Sequence, residues 1–130
     1  GIDESQMREK AKTVLDELHI RIPDLDAPVR SLSGGQRQAV AISRAVYWQA
    51  RIMIMDEPTA ALGVPEQRKV MDLIRMLKGR GTPVILISHN MQDVFEISDR
   101  IFVMRRGSKA GDFVTARTEP NEVVRTMIGG

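Results

Sequence analysis

Two adjacent carboxylates, Asp56 and Glu57, follow the unbroken apolar run Ile52 to Met55 and are followed at once by Pro58. Such a pair suits phosphoryl chemistry. In a nucleotide hydrolase one acid holds Mg²⁺, usually through water, and the other polarises the attacking water. His89 stands just beyond a second apolar run, Val84 to Ile87, where an imidazole can hydrogen-bond a terminal phosphate or that water. A third place with chemical potential is Ser33-Gly34-Gly35-Gln36. Serine suits a helix N-cap, the glycines permit close backbone approach, and the free N–H groups of a helix start attract phosphate. Taken singly these are ordinary features. A Ser-Gly-Gly run marks a helix start, and a lone histidine after a strand is commonly structural.

The elements that must position these residues can be read from period and punctuation. Ile52 to Met55 is too short for a free-standing helix and predicts a strand buried on both faces of a parallel sheet, ended by Pro58. That strand delivers Asp56 and Glu57 to the carboxyl edge of the sheet, where open α/β folds bind ligands. Alternation along a strand points the two acids opposite ways and gives them different tasks. Pro65 suits a first helical residue, Val70, Leu73, Ile74 and Leu77 supply a helical stripe, and Gly79 and Gly81 end it. Val84 to Ile87 is a second strand. Strand, helix and strand then form a βαβ unit with parallel strands and a right-handed crossover, which brings His89 toward Asp56 and Glu57.

Upstream, Asp3 and Gln6 read as a capping box, and Met7, Ala11, Val14, Leu15 and Leu18 recur on one helical face. His19 near that helix end is read as exposed or helix-terminal rather than as a ligand. Pro23, Asp24, Asp26 and Pro28 make a loop. A helix from Gly34 to about Gln49 follows, with Val40, Ile42, Ala45 and Val46 as its stripe. It spans about 24 Å, against about 13 Å for the strand that returns. A straight antiparallel return leaves Ser33 and Asp56 about 10 Å apart or more, too far to grip one phosphate together. Downstream, Asn90 caps a short helix through Ser98, Ile101 to Met104 is a strand, and Arg105 to Ser108 is a turn with Gly107 at positive φ. Lys109 to Phe113 is the returning arm of a hairpin, and a helix beginning near Pro120 closes the chain. The methionines fall mostly on apolar faces and read as core filler.

At 130 residues with 42% hydrophobic content, one domain or most of one is expected. Nineteen basic and 17 acidic residues are spread without a like-charge run, so electrostatics names no partner and gives no nucleic-acid arm. With no cysteine, disulfides and thiolate metal sites are excluded. No apolar stretch reaches the roughly 18 residues of a membrane span, and the N-terminus has no signal-peptide pattern.

Three passages together resemble the ATP-binding-cassette (ABC) ATPases. Arg51 to Gly63 is similar to the Walker B strand and D-loop of that family, Leu32-Ser33-Gly34-Gly35-Gln36 to its L-S-G-G-Q signature, and Ile87-Ser88-His89 to its switch-histidine segment. All three occur in family order. The resemblance implies an α/β fold, the C-terminal portion of a P-loop NTPase domain, with parallel strands, flanking helices, a C-terminal β-hairpin and a closing helix. Residues 1–50 would end the helical subdomain and carry the signature helix, and residues 51–130 would form the C-terminal part of the ATPase core. No G-x-x-x-x-G-K-[ST] phosphate loop occurs in the sequence, which is expected to be a fragment inactive by itself.

The resemblance further implies ATP and Mg²⁺ as cofactors. Asp56 would hold the metal through water, Glu57 would be the base or water-orienting group, and His89 would sense the γ-phosphate. Ser33, Gly34, Gly35 and Gln36 would contact ATP held by an opposing subunit in a head-to-tail dimer. Transmembrane permease subunits, and indirectly a substrate-binding protein, would be partners, with no nucleic acid. The location would be cytoplasmic, peripheral on the inner face of the bacterial plasma membrane. The family usually ends its D-loop in Asp; here Gly63 can offer only backbone. The A-A-L-G ending, the L-I-S-H-N-M segment and the D-R-I-F-V-M-R-R-G tail look most like ATPases of bacterial importers for ribose-type sugars. Two other classes compete. One is a chromosome-organising or repair ATPase acting on DNA, which would carry long heptads before the signature. The other is an inactive regulatory module paired with a complete subunit.

Overall fold

In the computed structural model, residues 34–129 are described. The expected helix over residues 3–18, His19, the proline loop and the cap role of Ser33 lie outside them. The chain divides into two compact units between Ile87 and Ser88.

The first unit is built on the sequence order helix, strand, helix, strand. Helix α1 (Gly34–Tyr47) buries Gly35, Ala39, Ile42 and Ser43. Its buried stripe is therefore rotated from the expected one: Val40, Ala45 and Val46 are half-buried, and small residues take the contact line. Ser43 is tolerated there because its hydroxyl donates to the Ala39 carbonyl at 2.8 Å. The helix stops at Tyr47, short of the expected Gln49. Gln49 adopts φ 54°, and the Ala50 amide reaches back to the Ala45 carbonyl at 2.8 Å, a left-handed cap of the Schellman kind.

Strand β1 (Met53–Asp56) and strand β2 (Val84–Ile87) pair in parallel, Met53 opposite Val84 through Asp56 opposite Ile87. Helix α2 (Val64–Gly79) connects them and buries Val70, Met71, Leu73, Ile74 and Leu77. The expected βαβ unit is thus present, with its helix starting at Val64 from a Gly63 N-cap, so that Pro65 stands just inside the first turn. Gly81, at φ +82°, supplies the turn out of α2, and Thr82 N–H closes it on the Leu77 carbonyl at 3.0 Å.

One expectation fails. The strands are not buried on both faces: Met55 is buried, but Ile52, Ile54, Ile85 and Ile87 are 49%, 61%, 48% and 49% exposed. The register puts these isoleucines on one face, away from Met53, Met55, Val84 and Leu86. Continuous apolarity reports that a strand belongs to a parallel sheet. Whether both faces are covered depends on which other segments are at hand, and among the described residues only one face is covered.

The second unit is a hairpin with a helix on either side of it in sequence. Helix α3 (Met91–Ile97) is capped by Asn90, whose side-chain oxygen accepts from the Asp93 amide at 3.1 Å. Strands β3 (Arg100–Arg105) and β4 (Ser108–Val114) are antiparallel, with a register shift between Val103 and Met104. Both turn residues, Arg106 (φ 49°) and Gly107 (φ 79°), are left-handed, the geometry of a two-residue type I′ hairpin. A short 3₁₀ turn, Thr115–Arg117, leads to helix α4 (Pro120–Ile128), which opens on a reciprocal Glu119–Glu122 capping box and ends at left-handed Gly129. Val94, Ile101, Val103 and Val123 form the core, with Met91, Phe95 and Phe113 packed against it. Among the described residues no helix is long and apolar enough to cross a membrane.

Candidate functional site

Strand β1 ends on Asp56, which is exposed at the carboxyl edge of the β1–β2 pair. The next residue departs from strand geometry. Glu57 adopts φ 47°, a conformation costing a bulky L-residue on the order of 1–2 kcal/mol. The simple alternation that would aim Asp56 and Glu57 to opposite faces therefore does not describe them. The acids are set apart by a change in backbone conformation between them. The ladder still holds Glu57 from the other side, because its amide donates to the Ile87 carbonyl at 2.7 Å. Pro58 and Thr59 are then buried, and Pro58 brings no amide to continue the ladder.

The chain turns twice after that. Ala60 N–H donates to the Glu57 carbonyl and Leu62 N–H to the Thr59 carbonyl, each at 3.2 Å, with Ala61 at φ 61° between them. Two left-handed non-glycine residues within five positions mark a backbone fixed by its surroundings. Gln67, in the first turns of α2, holds the exit: its side-chain amide donates to the Leu62 carbonyl at 2.8 Å, and its backbone amide to that of Gly63 at 2.9 Å.

This turn lies against the start of α1. A Cβ on Gly34 would collide with the Leu62 side chain, and a Cβ on Gly35 would come within 2.7 Å of a Glu66 carboxylate oxygen. Gly34 and Gly35 are thus brought onto the segment that follows Asp56 and Glu57. Gln36 is half-buried on the same helix turn, and Ser33 lies outside the described residues. His89 belongs to the second unit. It is exposed, and its neighbour Asn90 both caps α3 and donates from its amide to Ser88 Oγ at 3.0 Å.

Sequence reasoning missed Leu62, Glu66 and Gln67. Leucine and two polar residues at a helix start carry no signal, and only the pairing with Gly34 and Gly35 reveals their part. The left-handed backbone of Glu57 and Ala61 was also unreadable, because neither residue type favours it.

A sequence model for the ABC transporter family matches residues 2–60, a span that includes Ser33 to Gln36 and the Asp56-Glu57 pair. With the parallel strand pair and the acid-bearing turn, this defines the class: the chain belongs to the ATP-binding-cassette family. Within it, the chain is 47% identical over 126 residues to the xylose/arabinose import ATP-binding protein XylG of Sulfolobus acidocaldarius, covering 97% of this chain and 50% of that protein. It is 42% identical over 128 residues to the ribose import ATP-binding protein RbsA of Chromobacterium violaceum, covering 98% of this chain and 26% of that one. Among solved structures, a dimeric ATP-binding cassette in a post-hydrolysis state, bound to ADP and Pi, superposes with a TM-score of 0.72 at 26% identity, over 88% of this chain and 50% of that one. The chain therefore spans about half the length of one relative and a quarter of the other.

Proposed function

We propose that this chain is the C-terminal part of an ATP-hydrolysing cassette that powers sugar import through a membrane permease. One observation carries the reading. The turn bearing Asp56 and Glu57 leaves the carboxyl edge of a parallel strand pair and packs against the glycines that open α1, which joins the acidic and the signature residues in one unit. The likeness to xylose/arabinose and ribose import proteins supports sugar as the transported class. In this reading residues 1–50 end the helical subdomain and residues 51–130 belong to the ATPase core.

Asp56 is assigned to Mg²⁺. An exposed carboxylate suits a small hard cation that keeps several waters and takes one or two protein carboxylates together with phosphate oxygens. When bound, the ion would neutralise charge on the phosphates. Glu57 orients and deprotonates the attacking water. His89 hydrogen-bonds the terminal phosphate, a role supported by its place just after the strand that pairs with β1. Ser33, Gly34, Gly35 and Gln36 meet nucleotide held by a second cassette in a head-to-tail dimer, an assignment supported by the dimeric cassette that this fold resembles. The assembly works at the cytoplasmic face of the bacterial plasma membrane, with permease subunits as direct partners and a substrate-binding protein as an indirect one.

The sequence holds no phosphate loop, so the purified 130-residue chain is expected to show no Glu57-dependent ATP turnover. Joined behind the first half of the Sulfolobus relative, it is expected to hydrolyse ATP. Glu57→Gln should lower that rate by about 10²–10⁴-fold, the range for loss of a general base. A folded fusion that binds ATP yet turns over equally with Glu57 or Gln overturns the assignment.

A further inference from the structure

We propose that Leu62 and Gln67 are positioning residues, and that Gly34 is glycine because the chain's own Leu62 occupies the space of a side chain there. The part of the proposal that concerns hydrolysis rests on the reading of Glu57 given above. The seat itself does not.

At Gly34 all three nearest atoms to an added Cβ belong to Leu62: Cδ2 in outright collision, Cγ at 3.4 Å and Cδ1 at 3.6 Å. The isobutyl group therefore rests on the Gly34 α-carbon. A Cβ on the adjacent Gly35 would come within 2.7 Å of Glu66 Oε2. Leu62 is held through its backbone on both sides. Its amide is tied to the Thr59 carbonyl at 3.2 Å, and its carbonyl accepts from the Gln67 side chain at 2.8 Å. Thr59 is 5% exposed, so that anchor is itself inside the fold. Between Thr59 and the acid, the Ala60 amide returns to the Glu57 carbonyl.

The result is a short path of fixed contacts: α1 start, Leu62, Thr59, Ala60, Glu57. Along it both Ala61 and Glu57 hold left-handed backbones, which persist only while their surroundings over-determine them. A displacement of the α1 start presses on Leu62 and is passed to the backbone that aims Glu57. Loosening Leu62 lets Glu57 relax toward an ordinary conformation, away from its working position. Gln67 is the clamp on Leu62. Its side-chain amide holds the Leu62 carbonyl, and it acts on the path through that residue.

The test uses amide hydrogen exchange on the full chain, followed at Ala60 and Leu62. Gly34→Ala is expected to speed exchange at both amides by about tenfold, an opening population that reports local stability. Gly34→Ala combined with Leu62→Ala, which removes the colliding side chain, should return both amides to within about threefold of the Leu62→Ala variant alone. Gln67→Leu should speed the Leu62 amide, and Gln67→Lys, which keeps a donor toward the carbonyl, should restore protection. Unchanged exchange in Gly34→Ala, or a double variant no better than Gly34→Ala, overturns the seat; if Gly34→Ala does not fold, equal exchange in Gln67→Leu and wild type does so. In the fusion protein, Leu62→Ala should lower kcat about tenfold with KM for ATP within twofold, as expected when the water-orienting group is misaimed. A fusion that never hydrolyses ATP sinks the ATPase reading and leaves the exchange result standing. Unaltered kcat in an active fusion sinks the link to Glu57.

Discussion

The two units solve the same problem, burying apolar surface around a strand pair, in different ways. In the first, the face of the β1–β2 pair that carries Met55 is turned inward, and Ile52, Ile54, Ile85 and Ile87 on the other are between 48% and 61% exposed. In the second, a longer hairpin gathers Val94, Ile101, Val103 and Val123 into a core, and almost every boundary is marked by a local device: the Asn90 cap, the Arg106-Gly107 turn, the Glu119–Glu122 box and Gly129. Parallel strands cannot be closed by a short turn, so their partners must come from distant sequence, whereas a hairpin brings its own. The first unit holds Asp56, Glu57, Gly34 and Gly35, and the second holds His89. In the first unit Glu57 and Ala61 are left-handed within the turn that bears the acids, whereas Arg106 of the second unit is left-handed in a hairpin turn.

Substitutions can break or sharpen that contrast. The largest effect is expected in the shared face of the first unit. Leu77 is fully buried on α2, and Leu77→Ala should cost about 3 kcal/mol in urea denaturation. The contrast is clearest between one closed and one open position. Val123, 1% exposed, should lose about 2 kcal/mol as Val123→Ala, while Ile54→Ser on the open face should stay within about 0.5 kcal/mol. An Ile54→Ser cost equal to that of Val123→Ala would show that the open face is covered in solution. Gly107→Ala should cost about 1 kcal/mol, because an added side chain meets φ 79° in the hairpin turn; equal melting temperatures of variant and wild type would contradict the I′ geometry.

The smallest effect concerns the exposed hairpin pair. Arg100 donates to both Asp112 oxygens, at 2.8 and 3.0 Å, and Lys109 approaches at 3.5 Å. The Arg100 hydrogen bond, with the positive charges of Arg100 and Lys109, holds the Asp112 carboxyl below its usual range. A depressed carboxylate stabilises the fold above its unfolded pKa, about 3.9, and that contribution is lost as pH falls through the folded value. Melting curves of wild type and Asp112→Asn should therefore differ slightly near neutrality and converge in strong acid. Divergence that grows on acidification would contradict the pairing.

Legibility in the sequence followed the range of the determining interaction. The hairpin, both strands of the βαβ unit and the stripe Val70, Leu73, Ile74 and Leu77 were readable because period and turn residues act over a few positions. The α1 stripe was misplaced because its contact line is set by the small residues Gly35, Ala39 and Ser43, which a search for large apolar side chains passes over. The open isoleucine face was misjudged because composition records apolarity but not the presence of a neighbour. At the site, Asp56, Glu57, Gly34 and Gly35 were legible as types, but their arrangement was not.

The sequence by itself determined which residues could carry phosphoryl chemistry and on which kinds of element they stand, because residue type and local period are properties of the chain alone. The tertiary structure alone decided that Glu57 leaves the strand in a left-handed turn, and that Leu62 sits on Gly34 under the hold of Gln67. The seat of Leu62 on Gly34 depends on contact between α1 and the turn after β1, segments separated by a whole helix and strand. No local preference of leucine, glutamine or glutamate announces such contacts.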